Sequence, residues 1–206
     1  MRVAILGGTG PFGRGLAQRL RAAGDEPVIG SRDADRAQEA AAEVGVEGGT
    51  NQEIVRNADL VVLAVNAEAA VQTAKSLARA IGSTPLLCVA SEVRFGEDGA
   101  RPGAEEASIA ERVAAVVPGP VAAGLHSVAA GTLSGDEPPD EDALVCGDDP
   151  GAKSVALELS ERVVAGRALD AGSLASARAL EGLTAVILNV NKRYRARAGI
   201  RITGLP

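Results

Sequence analysis

Gly7-Gly8-Thr9-Gly10-Pro11-Phe12-Gly13 follows directly on the short apolar run Arg2–Leu6 and opens an amphipathic stretch. It contains G-x-G-x-x-G at Gly8, Gly10 and Gly13. In a strand–turn–helix unit each glycine has a separate task. Gly8 takes the tight turn, Gly10 lets the backbone approach a pyrophosphate, and Gly13 lets helix and strand pack closely while the helix N-terminus faces the anion. Strand, glycines and helix in this order predict a dinucleotide site at Gly8, Thr9, Gly10, Pro11, Phe12 and Gly13. The competing reading is a glycine turn in a Rossmann domain that holds no nucleotide.

The next apolar run, Pro27–Gly30, selects the dinucleotide. Sites for unphosphorylated NAD usually end this strand with Asp or Glu, which holds the ribose hydroxyls. Here Val28-Ile29 runs into Gly30-Ser31-Arg32. A guanidinium can pair a 2′-phosphate in a two-pronged hydrogen bond, and Arg36, one helical turn further on, lies on the same side. Ser31, Arg32 and Arg36 therefore predict NADP(H). A plain helix start with exposed charges competes with this reading, and Asp33 is near enough to claim part of the Arg32 charge.

Outward from these motifs, short apolar runs alternate with Ala-rich amphipathic stretches. The runs are Arg2–Leu6, Pro27–Gly30, Leu60–Val65, Leu86–Val89, Val121–Leu125, Ala143–Cys146 and Arg167–Leu169. Helices are predicted over 11–23, 33–43, 51–57, 67–80, 105–116, 150–165 and 173–197, with Asp33, Thr50 and Ser173 as N-caps and Pro11 in a first turn. The pattern predicts an α/β fold: a Rossmann-type doubly wound parallel sheet, a smaller C-terminal α/β extension and a long C-terminal helix. A seam is expected near Val117–Pro120, dividing residues 1–118, the NADP-binding domain, from 119–206. The stretch Ser134–Asp142, SGDEPPDED, is predicted to be a polar surface loop with solvated acids.

Composition narrows the function. With 206 residues, 46% of them hydrophobic, the chain can bury one substantial core. A net charge of −6 repels nucleic-acid backbones and anionic membranes, so no nucleic-acid or membrane partner is expected. No apolar run is long enough for a signal peptide or a membrane span, which makes the cytoplasm the expected address. Cys88 and Cys146 are far apart in apolar runs and read as core thiols; with His126 as the sole histidine, no metal site is expected. The usual proton donors are scarce as well. Tyr194 is followed four residues later by Ala198, so a Tyr-x-x-x-Lys dyad is missing, and nothing supports a Ser-His-Asp triad. Hydride transfer between two stacked ring cofactors needs little beyond near-attack geometry and exclusion of water, and suits such a site.

Six stretches carry a more specific likeness: Arg2–Gly10, Gly30-Ser31-Arg32, Leu125-His126-Ser127-Val128-Ala129-Ala130, Val145–Asp149, Leu169–Leu174 and Leu183–Asn189. Nearly end to end, the chain resembles the NADPH-dependent reductases of the deazaflavin coenzyme F420. That resemblance implies a cytoplasmic homodimer moving hydride reversibly between NADP(H) and coenzyme F420. It implies that Thr9–Phe12 hold the pyrophosphate, and Ser31, Arg32 and Arg36 the 2′-phosphate. The His126–Ala130 stretch would line the place where the rings stack, with the backbone of Val128 and Ala130 in contact. Val93 and the backbone of Ala198 match two further contact positions. Residues 119–206 would then complete the deazaflavin pocket and the dimer contact. The chain departs from the family pattern at Ala129, where a proline is common, and in its Val65-Asn66-Ala67 and Ser91-Glu92-Val93-Arg94 loops.

Two features keep two readings each. His126 either hydrogen-bonds the deazaflavin or satisfies loop backbone groups. The basic run Lys192–Arg201 either complements a helix C-terminus or steers an anionic deazaflavin tail. The apolar Leu180–Val190 stretch, with Leu183, Val186, Ile187 and Val190, exceeds one helical stripe and predicts burial against a second subunit. Rival functions are an NADP-dependent reductase of a small imine or carbonyl and a non-enzymatic NADP(H) sensor.

Overall fold

Val3, Ala4, Ile5 and Leu6 are fully buried, as a central parallel strand covered on both faces requires. In the computed structural model, which describes residues 1–205, they belong to β1 (Arg2–Leu6). The further strands are β2 (Glu26–Ser31), β3 (Glu47–Thr50), β4 (Leu60–Leu63), β5 (Leu86–Cys88), β6 (Val93–Gly96), β7 (Gly99–Pro102), β8 (Val121–Gly124), β9 (Ala143–Gly147) and β10 (Ala168–Asp170). Helices are α1 (Pro11–Ala22), α2 (Ala34–Val44), α3 (Asn51–Ile54), α4 (Ala67–Ile81), α5 (Ile109–Ala114), α6 (Ala130–Leu133), α7 (Pro150–Val163) and α8 (Ala177–Tyr194).

Eight strands form one sheet in the order β10-β9-β8-β5-β4-β1-β2-β3. Every pairing is parallel except β8 with β9. The connection through Val117–Pro120 leads from α5 into β8, which hydrogen-bonds to β5 within this sheet. Side chains alternate between two cores with the period of a strand: Ala4 and Leu6 join one cluster, Val3 and Ile5 the other. Leu16 and Leu20 of α1 are fully buried in the second cluster, each contributing ~1.5–3 kcal/mol.

Several elements differ from the sequence-based expectation. Glu47-Gly48-Gly49-Thr50 has no apolar run, yet it forms β3 because its backbone pairs with Val28–Ser31. The exposed hairpin β6–β7 is held from outside: Asn189 of α8 accepts from Ala100 N–H at 2.8 Å and donates to its carbonyl at 2.7 Å. Helix α5 is shorter than predicted because Ser108 caps it in a reciprocal capping box with Glu111. The helix expected from 173 begins as a 3-10 turn, Leu174–Ser176, and α8 ends at Tyr194, where Arg195 turns left-handed at φ +52°. Ser173 makes no side-chain cap; Asp148 accepts from Leu174 N–H instead. Asp33 and Thr50 do cap their helices.

The acids of the 134–142 loop are not all solvated. Glu141 and Asp142 are buried, and Asp142 accepts from Arg167 and from the backbone N–H of Ile202. Arg201 pairs with Asp140, so the segment after α8 is clasped against this loop.

Candidate functional site

The glycine turn lies at the C-terminal end of β1. Its left-handed residue is Gly7, at φ +75°, so the tight turn falls one position earlier than the motif alone suggested. Gly8 serves close approach instead: a Cβ there would lie 2.9 Å from the Ile5 carbonyl oxygen, and its N–H donates to the carbonyls of Ile5 and Gly30. A Cβ on Gly13 would come 2.5 Å from the Gly8 Cα, the helix–turn contact expected of that glycine. Gly10 stands open, its nearest neighbour for a Cβ being the Gly7 oxygen at 3.6 Å.

Helix α1 starts at this opening with Pro11 in its first turn, no side-chain cap and no acid in that turn. Its first N–H groups and positive dipole end are thus unopposed, an arrangement that can hold a phosphate. Beside it lies a cavity of about 350 Å³ whose lining includes Thr9, Gly10, Ser31, Arg32, Arg36 and Asn51. Asp33 does not claim the neighbouring guanidinium; its carboxylate accepts from the N–H groups of Asp35 and Arg36 at the start of α2. Arg32 and Arg36 are exposed and, among the described residues, join none of the ion pairs. Two free guanidiniums therefore face a cavity already flanked by a helix N-terminus.

A second cluster forms where β5 and β8 end. Leu125 is fully buried yet left-handed at φ +61°, a strained conformation for a branched side chain that persists only under tight constraint. His126 and Ser127 follow, 7% and 4% exposed. Neither ring nitrogen of His126 nor the Ser127 hydroxyl has a hydrogen-bond partner among the described residues. The one backbone group that acts on the ring is that of Ala90, which favours the charged imidazole but is outweighed by burial. Burial pushes its pKa down to about 4, so the imidazole is neutral near pH 7. Its carbonyl is held by Thr184 of α8, whose Oγ1 donates at 2.8 Å and in turn lies 2.8 Å from Ser91 Oγ. Val128 is buried in the same loop, and Ala130 opens α6.

Other singled-out residues are placed as follows. Val93 begins β6 and is half-buried. Ala198 follows α8, its N–H donating to Asn191 Oδ1 at 2.6 Å. Cys88 and Cys146 are free and buried, and desolvation pushes their thiols up to about 12 and about 11. Among the described residues no three His, Cys, Asp or Glu side chains are grouped to hold a metal ion, and no helix is long and apolar enough to cross a membrane. Sequence reasoning gave no role to Asn51, whose signal was its place after the Thr50 cap. Nor did it give one to Thr184, which lay inside a quoted motif without an evident partner.

A glycine turn on the central strand of a sheet running β3-β2-β1-β4-β5-β8 defines a Rossmann-type dinucleotide-binding protein. Residues 2–87 match a family model described as NADP oxidoreductase, coenzyme F420-dependent. The F420-dependent NADP reductase of Methanothermobacter thermautotrophicus is 38% identical over 229 aligned positions, covering 100% of this chain and 96% of the relative. That of Methanocaldococcus jannaschii is 34% identical, with 100% and 99% covered. A crystal structure from Arthrobacter sp. FB24, assigned as an F420-dependent NADP reductase, superposes with a TM-score of 0.84 at 22% identity, covering 99% of this chain and 100% of that one. The chain belongs to the family of F420-dependent NADP reductases.

Proposed function

We propose that this protein transfers hydride reversibly between NADP(H) and the deazaflavin coenzyme F420. NADPH gives up a hydride and becomes NADP⁺; the oxidised deazaflavin accepts it and, with one proton, becomes the reduced form. The observation that carries the nucleotide half is the pair of free guanidiniums, Arg32 and Arg36, in one cavity with the open turn at Gly10. Gly8–Gly13 take the pyrophosphate and Ser31, Arg32 and Arg36 the 2′-phosphate. Residues 1–118 carry this site.

The deazaflavin ring stacks on the nicotinamide beside His126, Val128 and Ala130, with Val93 and Ala198 completing the pocket, so that residues 119–206 supply most of its wall. The unpartnered polar atoms of His126 and Ser127 support a ligand there. A neutral His126 can donate or accept one hydrogen bond to the ring without adding a charge.

The working unit is a homodimer. Ile187 is buried and Leu183 half-buried within the protomer, but Val186, Val190 and Tyr194 of α8 and Phe95 of the hairpin remain exposed. Val186, Val190 and Tyr194 line a groove of about 600 Å³, together with Glu97 and Asp98 from the hairpin and Lys192 and Arg193 from the helix. A two-fold contact sets such a surface against itself, opposing acids and bases. Two free, buried thiols support a reducing, cytoplasmic address.

Mixing purified protein with NADPH and oxidised F420 tests the activity. Loss of the oxidised deazaflavin absorbance together with NADPH is expected. NADPH binding without that loss would return the chain to reductases of imines or carbonyls, or to nucleotide sensors.

A further inference from the structure

The nucleotide cavity contains one buried polar side chain that the function above does not use. Asn51 lines it, is only 7% exposed, and its Oδ1 is buried with no donor among the described residues. A buried amide oxygen without a partner costs free energy that an incoming hydroxyl would recover.

The position of Asn51 is built rather than incidental. Thr50 and Ser31 are register partners on β3 and β2, which sets the start of α3 beside the Ser31-Arg32 turn. A capping box fixes the backbone there: Thr50 N–H and Oγ1 donate to Glu53 Oε2 at 2.9 and 2.7 Å, and Glu53 N–H donates to Thr50 Oγ1 at 3.3 Å. Gly30 makes room for the amide, since a Cβ there would come 2.6 Å from Asn51 Oδ1. The glycine of the Gly30-Ser31-Arg32 turn thus has a packing reason, and the side chains it admits are those of Ile54 and Asn51.

We infer that Asn51 binds the adenosine ribose of the dinucleotide, its amide oxygen accepting from the 3′-hydroxyl. The inference rests on reading this cavity as the NADP site. If Ser31, Arg32 and Arg36 hold the 2′-phosphate, the neighbouring group on that sugar is the 3′-hydroxyl. Thr50 is the partner of Ser31 across the β2–β3 pair, and Asn51, the next residue, lines the same cavity as Ser31. A hydroxyl donates as readily as it accepts, and it supplies the donor that Oδ1 lacks. The division of labour is then simple. Arg32 and Arg36 distinguish NADPH from NADH, whereas Asn51 serves a sugar common to both and adds affinity without changing the preference.

Calorimetric titration with adenosine 2′,5′-bisphosphate and its 3′-deoxy analogue tests this. The wild-type protein is expected to bind the parent about 3- to 10-fold more tightly, the range of one hydrogen bond. Asn51→Ala should lose that factor on the parent and bind the two compounds alike. A variant that still favours the parent to the wild-type extent overturns the inference. Should Asn51→Ala fail to fold, the wild type decides, because equal affinity for the two compounds overturns it as well. Wild-type protein that binds neither compound would instead defeat the reading of the cavity as an NADP site.

Discussion

Thr184 donates through Oγ1 to the backbone carbonyl of His126 at 2.8 Å, joining the long C-terminal helix to the strained loop beyond β8. Ser91, from the loop after β5, lies 2.8 Å from the same Thr184 oxygen. Because Thr184 gives its proton to the His126 carbonyl, Ser91 is left as donor in that second bond. Three segments distant in sequence are thereby held at the place where the two rings are proposed to meet.

Thr184→Val keeps the shape and removes both hydrogen bonds. Where geometry is the main catalytic device, a displacement approaching 1 Å costs up to about 100-fold. Single-turnover measurement should show deazaflavin reduction slowed by about 10-fold or more and NADPH affinity unchanged. Thr184→Ser should restore most of the rate. An unaltered rate in Thr184→Val would show that the tie does not position the loop.

Arg32→Ala removes a charged group that joins no ion pair among the described residues. Calorimetry should record a loss of ~1.5–3 kcal/mol in NADPH binding, the range for hydrogen bonds to charged groups, and little change with NADH. Equal losses with both nucleotides would place Arg32 away from the 2′-phosphate.

Glu181 lies buried on α8, its Oε1 accepting from Ile109 N–H at 2.6 Å, and desolvation raises its pKa from 4.5 to about 7. A folded-state pKa above the unfolded one contributes stability that is fully present below pH 4.5 and lost as pH rises through about 7. Glu181→Gln removes this titration and keeps an acceptor for Ile109. In urea unfolding, the wild type should lose stability relative to Glu181→Gln between pH 4.5 and 7 and then run parallel to it. A gap independent of pH would contradict the assignment.

Val186 is 55% exposed on the groove between α8 and the hairpin. If that groove is the dimer contact, Val186→Asp should shift light-scattering mass from dimer to monomer without lowering the unfolding temperature of the protomer. A wild-type protein that is monomeric at micromolar concentration would remove the dimer from the proposed function.

Legibility in the sequence followed the range of the interactions. The turn Gly7–Gly13 and the Gly30–Arg36 segment were readable because each is a short contiguous motif, although Gly8 and Gly30 also make room for residues distant in sequence. β3 was not, since Glu47–Thr50 becomes a strand only through pairing with β2. Nor was the β6–β7 hairpin, which depends on Asn189 eighty-nine residues away. The acids of the 134–142 loop were read as solvated because nothing nearby announces that Arg167 and the tail beyond α8 cover Asp142. In the site the same rule holds. The proposed NADP half lies in two contiguous motifs, whereas the Thr184–His126 tie and the clearance of Gly30 for Asn51 appear only when distant segments are brought together.

Direct transfer between the two rings is the central claim, and an isotope decides it. NADPH carrying deuterium at the transferred position of the nicotinamide is mixed with oxidised F420 and the protein, and the reduced deazaflavin is examined by mass spectrometry. The label is expected on the deazaflavin, undiluted by solvent protons. Label found in water, or NADPH consumed with no deuterium on the deazaflavin, would contradict hydride transfer in a shared pocket beside His126, Val128 and Ala130.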